Sequence, residues 1–76
     1  MITYLERVDP SKNSYRFYAL QVTQTLFGSW ALIRQWGRIG HQGGTKLESW
    51  FDREHEARDA AMKIQKTKER RGYRSV

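Results

Sequence analysis

Apolar and aromatic residues alternate with polar ones through most of the chain up to Phe51, and the period lengthens beyond it. Residues 1–8 read as a short strand. It closes at Asp9-Pro10-Ser11-Lys12-Asn13-Ser14, where Asp, Pro, Asn and Ser each favour a turn for a separate reason. Residues 15–23 are aromatic and β-branched. Extended chain puts Tyr18, Leu20 and Val22 on one face, with Arg16 in phase. After Gly28-Ser29, the run from Trp30 to Trp36 sets Trp30, Leu32, Arg34 and Trp36 against Ala31, Ile33 and Gln35. A connection rich in glycine (Gly37, Gly40, Gly43, Gly44) leads to a last strand from Thr45 to Phe51.

The period then becomes helical. Asp52 is placed to cap a helix, with Glu54 and Glu56 in its positive first turn. Ala57, Ala60, Ala61, Ile64 and Lys68 follow i, i+3, i+4 spacing, which lays them against a sheet. Glu54–Arg58 and Asp59–Lys63 have the spacing of supporting ion pairs. Gly72 marks the stop, and Tyr73 is expected to dock the tail. Strands followed by one helix predict an α+β fold: an antiparallel β-sheet of four or five strands packed against one C-terminal α-helix. Trp30 and Trp50 are assigned to its core.

Length narrows the function. Seventy-six residues make one domain, expected over 1–76. Such a chain buries only about 60% of its unfolded surface, so a deep substrate cavity would remove much of its core. The absence of cysteine excludes disulfides, thiolate zinc and a cysteine nucleophile. The start, Met1-Ile2-Thr3-Tyr4-Leu5-Glu6-Arg7, has no signal-peptide pattern, and no apolar run is long enough to span a membrane. A cytoplasmic protein with no membrane partner is expected. Asp and Glu residues fall in cap and ion-pair positions, and His41 and His55 are isolated, so neither catalysis nor metal binding is expected. The glycine stretch lacks the order of a phosphate loop and reads as a hairpin connection. No cofactor or small-molecule substrate is expected either.

Charge points elsewhere. The chain carries +6, and Lys63, Lys66, Lys68, Arg70, Arg71 and Arg74 meet one acid, Glu69, in the last stretch. Cations beside many aromatics are the composition of a nucleic-acid binder. Within Trp36-Gly37-Arg38-Ile39-Gly40, a tryptophan offers a flat face and Gly37 removes a side chain beside it. Arg38 sits in phase with Trp36, and stacking plus a phosphate contact grips bases and ends. A core role is the alternative for Trp36. Lys63, Lys66, Arg70 and Arg71 divide between phosphate contact and a solvated helix face, and Asn13 between a nucleic-acid contact and a plain turn residue. Arg34 shares the phase of Arg38.

These residues resemble a family. Trp36-Gly37-Arg38 is the signature of the WGR domain of poly(ADP-ribose) polymerases and small bacterial proteins. The likeness runs through Asn13-Ser14-Tyr15, Leu26-Phe27-Gly28-x-Trp30-x-Leu32, the Ala57–Ile64 helix and Lys68-x-x-Arg71-Gly72-Tyr73, about residues 5–73. The resemblance implies a sheet with one helix and DNA binding at strand breaks or ends. It implies that Trp36 lies against a sugar or base near a 5′ end. It also implies that Arg38 meets nucleic acid or a neighbouring domain, with Asn13 beside them. Polymerase chemistry is not expected of this length. The partner expected is nucleic acid, DNA before RNA; the alternative is a protein–protein adaptor using the same Trp36/Arg38 surface.

Overall fold

A computed structural model describes residues 1–76. The elements are β1 (Ile2–Asp9), a 3-10 turn (Pro10–Lys12), β2 (Ser14–Gln24), β3 (Trp30–Arg38), β4 (Thr45–Phe51), α1 (Glu54–Arg70) and β5 (Arg74–Ser75). All pairings are antiparallel, in the order β4-β3-β2-β1-β5. The first four strands form a meander. After α1 the chain returns to the free edge of β1, where the two residues of β5 pair with Leu5 and Glu6. The fold is α+β, a five-stranded sheet with one helix on one face.

Alternation decides which face the helix takes. Leu5, Tyr18 and Trp36 lie opposite one another across β1, β2 and β3, and Leu20, Val22 and Leu32 continue the same face. Against them α1 lays Ala57 and Ala61, both at 0% exposure. Small side chains let the helix backbone approach the sheet closely. The core is completed by Tyr73 and rimmed by Trp30, Trp36, Phe51, Ala60 and Ile64.

The helix ends are built from local chemistry. Asp52 does not cap α1. Arg53 takes that place with extended backbone (φ −125°, ψ 147°), and Glu56 reaches back so that its Oε1 accepts the Arg53 N–H at 3.1 Å. A reach-back acid three residues into the helix satisfies an orphan donor without any capping side chain. Of the two expected ion pairs, Glu54–Arg58 forms at 2.9 Å and Asp59–Lys63 does not. At the other end Gly72 adopts φ 96°. Its N–H bonds to the Glu69 carbonyl at 3.1 Å, and that of Tyr73 to the Lys68 carbonyl at 3.1 Å. This paired closure needs a left-handed residue and drives Tyr73 into the core.

Trp50 corrects a second expectation. It is 65% exposed because the β3–β4 register sets it opposite Ala31, on the face that α1 does not cover. Alternation alone is blind to which face gains the helix.

Two glycines let the β3–β4 connection fold over the end of β3. Gly44 has φ 102°, and a Cβ there would come within 2.5 Å of the Trp36 carbonyl oxygen. Gly43 is also left-handed, at φ 89°, but meets nothing. Gly43→Ala should therefore cost about 1–2 kcal/mol from its backbone alone. Gly44→Ala should cost roughly 1–3 kcal/mol more, the usual range for overpacking. Urea unfolding of the two variants measures the difference; equal costs would mean that the close approach to Trp36 does not exist in solution.

Candidate nucleic-acid interface

The strand registers assemble the site. Arg7 faces Arg16 across β1–β2, and Arg16 faces Arg38 across β2–β3. Directly paired residues share a sheet face, so three arginines stand in one row on the helix side. The adjoining row on that face is Leu5, Tyr18 and Trp36. A cationic row thus borders an aromatic one.

Like charges set opposite one another across strands repel. No acid forms an ion pair with them; the chain's one ion pair, Glu54–Arg58, lies on the helix. The row runs into the turn between β1 and β2. Asn13, left-handed at φ 50°, donates its N–H to the Pro10 carbonyl at 3.1 Å and swings the chain around. Lys12, Asn13 and Ser14 then line a cleft of about 330 Å³ with Tyr15 and the three arginines. A second groove of about 470 Å³ leads from Arg7 and Lys12 past Asp9 to Arg71 at the helix end. Asp9 is the only carboxylate there. A hydrogen bond from Ser11 Oγ at 2.6 Å, aided by the charge of Lys12, holds it below the usual carboxylate range.

The aromatic row is tightly organised. Trp36 stacks on Tyr18 with centroids 5.4 Å apart and planes 8° from parallel. Tyr73 meets Tyr18 edge-on at 6.2 Å and 76°. Arg34 Nε donates to the Tyr18 hydroxyl at 2.8 Å, and its guanidinium carbon lies 5.5 Å from the Trp36 centroid. From the helix, Lys68 places Nζ 4.6 Å from the Tyr18 centroid. Burial lowers the Lys68 pKa from the ordinary lysine value, and the charges of Arg71 and Arg34 lower it further. Trp36 is half-buried, so it both joins the core rim and leaves part of its indole open.

The expected residues divide accordingly. Arg38 and Asn13 line the cleft, Trp36 and Arg34 lie further along the sheet in and beside the aromatic row, and Arg71 borders the second groove. Gly37 faces the other side of the sheet, opposite Phe17. A Cβ on it would meet the Gly44 Cα at 3.2 Å and the Phe17 ring at 3.3 Å, so its bareness serves packing of the β3–β4 connection and not the approach of a ligand to Trp36. Lys63, Lys66 and Arg70 follow i, i+3, i+7 on the exposed outer face of α1, away from the cleft. Arg7, Lys12 and Arg16 were not expected at the site. Their signal was the phase of Arg16 with Arg38, which becomes informative only once the strand pairing is known.

A family model for the WGR domain, a family of nucleic-acid-binding modules, matches residues 1–76. The chain is also 41% identical over 71 residues to the uncharacterized protein y4dW of Sinorhizobium fredii (strain NBRC 101917 / NGR234). That match takes in 93% of this chain and 34% of y4dW, so the chain spans about a third of the length of that relative. No solved structure matches the chain.

The surroundings of Lys68 are open to direct measurement. Its ammonium should titrate below the ordinary lysine value, and Arg71→Ala, which removes one repelling charge, should move it up. Because the folded value is the lower one, the unfolded chain holds more protons between the two values, and stability should rise with pH across that window. Carbon-13 NMR of reductively dimethylated protein follows the titration. A Lys68 resonance indifferent to Arg71→Ala would contradict the arrangement.

Proposed function

This chain belongs to the WGR-domain family, and from that membership and its geometry we propose that it is a non-catalytic DNA-binding module for ends, nicks or gaps. The observation that carries the reading is the row of arginines, Arg7, Arg16 and Arg38, unpaired by any acid and set beside the Trp36–Tyr18 stack. A phosphodiester backbone is a ligand that relieves mutual repulsion among three cations while offering sugars and bases to an aromatic face. An intact duplex keeps its bases stacked inside; a break exposes a terminal one.

In this reading Trp36 stacks on the exposed sugar or base at the break. Arg38 holds the adjacent phosphate, with Arg16, Arg7, Lys12 and Asn13 continuing the contact along the cleft. Arg34 fixes the Tyr18–Trp36 pair from the side, and Arg71 extends the cationic surface past the helix end. Lys63, Lys66 and Arg70 act at longer range, as attraction screened by salt within about 10 Å at 0.1 M. Gly37 contributes by letting the β3–β4 connection pack. Such a module works as a single domain on cytoplasmic DNA, without metal or cofactor. The same Trp36/Arg38 surface as a protein adaptor is less well supported, because a run of unpaired arginines fits a polyanion better than a mixed protein surface. DNA is favoured over RNA by the family resemblance alone.

Fluorescence anisotropy with a nicked duplex, a blunt duplex, a hairpin-closed duplex and a matched RNA end tests the proposal at two salt concentrations. Trp36→Ala should weaken binding to the broken probes by roughly 1–3 kcal/mol per stacked base. Arg38→Ala should make the log–log salt slope shallower by about 0.9, the loss of one phosphate contact. Circular dichroism checks that each variant keeps its fold, and Trp36→Phe serves if the alanine does not, since it keeps an aromatic face on Tyr18. Equal binding to broken and unbroken duplex would leave only a basic surface, and absence of binding at low salt would overturn the reading.

A further inference from the structure

The far edge of the sheet bears a different chemistry. In the strand order β4 is an edge along its whole length, whereas the opposite edge, β1, is partly covered by β5. Five of the seven residues of β4 are exposed, among them Leu47 at 46% and Trp50 at 65%. Lys46 and Glu48 lie on the face away from the helix, opposite Gln35 and Ile33 of β3, so neither has a charged neighbour across the inner pairing. Neither joins an ion pair within the chain; Glu48 accepts only a hydrogen bond from the Trp50 indole N–H at 2.8 Å.

We infer that β4 is a self-pairing edge, and that its occupant is β4 of a second copy, antiparallel about a two-fold axis at Leu47. That register sets Lys46 against Glu48 of the second copy and Glu48 against its Lys46. It also brings the two Leu47 side chains together and pairs Thr45 with Ser49. Trp50 falls diagonally beside Lys46 of the second copy, within reach of an aromatic ring. The neighbouring symmetric registers are excluded by charge: an axis at Lys46 opposes two lysines, and one at Glu48 opposes two glutamates. Complementarity selects one alignment where a flat, uncharged edge would slip. A lone lysine on an edge ordinarily discourages pairing. Here Glu48, two residues on, turns that same lysine into a selector.

The +6 charge of each copy does not forbid the contact. The row of Arg7, Arg16 and Arg38 lies beyond Trp36–Thr45, the last β3–β4 pair, and Arg71 borders the groove on the β1 side. The two-fold axis stands perpendicular to a continuous ten-stranded sheet, because antiparallel neighbours related this way keep their faces in common. Both helices and both Trp36–Arg38 surfaces therefore share one side of the dimer, and both open faces share the other.

Sedimentation velocity from micromolar to millimolar protein, in salt high enough to screen long-range repulsion, tests the pairing. The wild type should dimerise. Lys46→Glu or Glu48→Lys alone creates two like-charge pairs across the axis and should weaken the dimer by roughly tenfold or more. The double exchange Lys46→Glu/Glu48→Lys restores both pairs and should recover it. All three changes fall on exposed positions, so the monomer fold is expected to persist and is verified by circular dichroism. A wild type that stays monomeric at millimolar concentration, or a dimer indifferent to the single exchanges, would overturn the inference.

Discussion

One helix has to cover one face of a sheet longer than itself. The seventeen residues of α1 extend about 26 Å, whereas the eleven of β2 run to about 37 Å. The helix starts beside Phe51, at the end of the sheet where β2 meets Trp30, and reaches Tyr18 with Lys68. Beyond that point only the helix end at Arg71 and Gly72, beside Arg7, borders the helix-side face. The residues left there are Arg7, Arg16 and Arg38, with the Pro10–Lys12 turn as their boundary. The site is therefore not an addition to the fold. It is the part of the sheet that the cover does not reach.

The aromatic row marks the boundary between the two regions. Inside it, Leu20 and Leu32 are dry; outside it, Arg16 and Arg38 are exposed to water. Tyr18 suits the seam, with a buried ring and a hydroxyl satisfied by Arg34. Trp36 then rests on that ring instead of floating at the surface, so its orientation is set before any ligand arrives. Preorganisation of this kind reduces the entropy lost on binding. Tyr73 supports the pair from below, and it is there because Gly72 reverses the chain. The left-handed residue at the helix end is thus connected, through two aromatic contacts, to the presentation of Trp36.

Much of this was legible in the sequence, and the illegible part has a common cause. Alternation located β2, β3 and β4, and the change of period located α1, because both signals are local. The cluster of Trp36, Arg34 and Arg38 was visible because all three lie on one strand. Arg7 and Lys12 could not be placed with them, since that depends on how β1 registers against β2. Trp50 was misassigned because alternation gives two faces without saying which one the helix takes. The outward Lys63, Lys66 and Arg70 differ from the inward Lys68 by helical phase, a distinction that a count of cations along the chain does not make. Gly37 misled differently: its motif suggests access to Trp36, but extended backbone sends consecutive residues to opposite faces.

Three arginines in one cross-strand row lower the stability of the free protein, as does an ammonium pressed against tyrosine between Arg34 and Arg71. A fold under selection for stability alone has inexpensive remedies available, such as a glutamate in place of any one of the three. The row keeps none, although the outer face of α1 carries the Glu54–Arg58 pair and Glu69. Acids are thus present in the chain and absent from this face, apart from Asp9, whose charge is engaged by Ser11. Locally unfavourable charge placed at the uncovered end of a small sheet is what a polyanion site requires, because its repulsion is released only when the ligand supplies the missing negative charge.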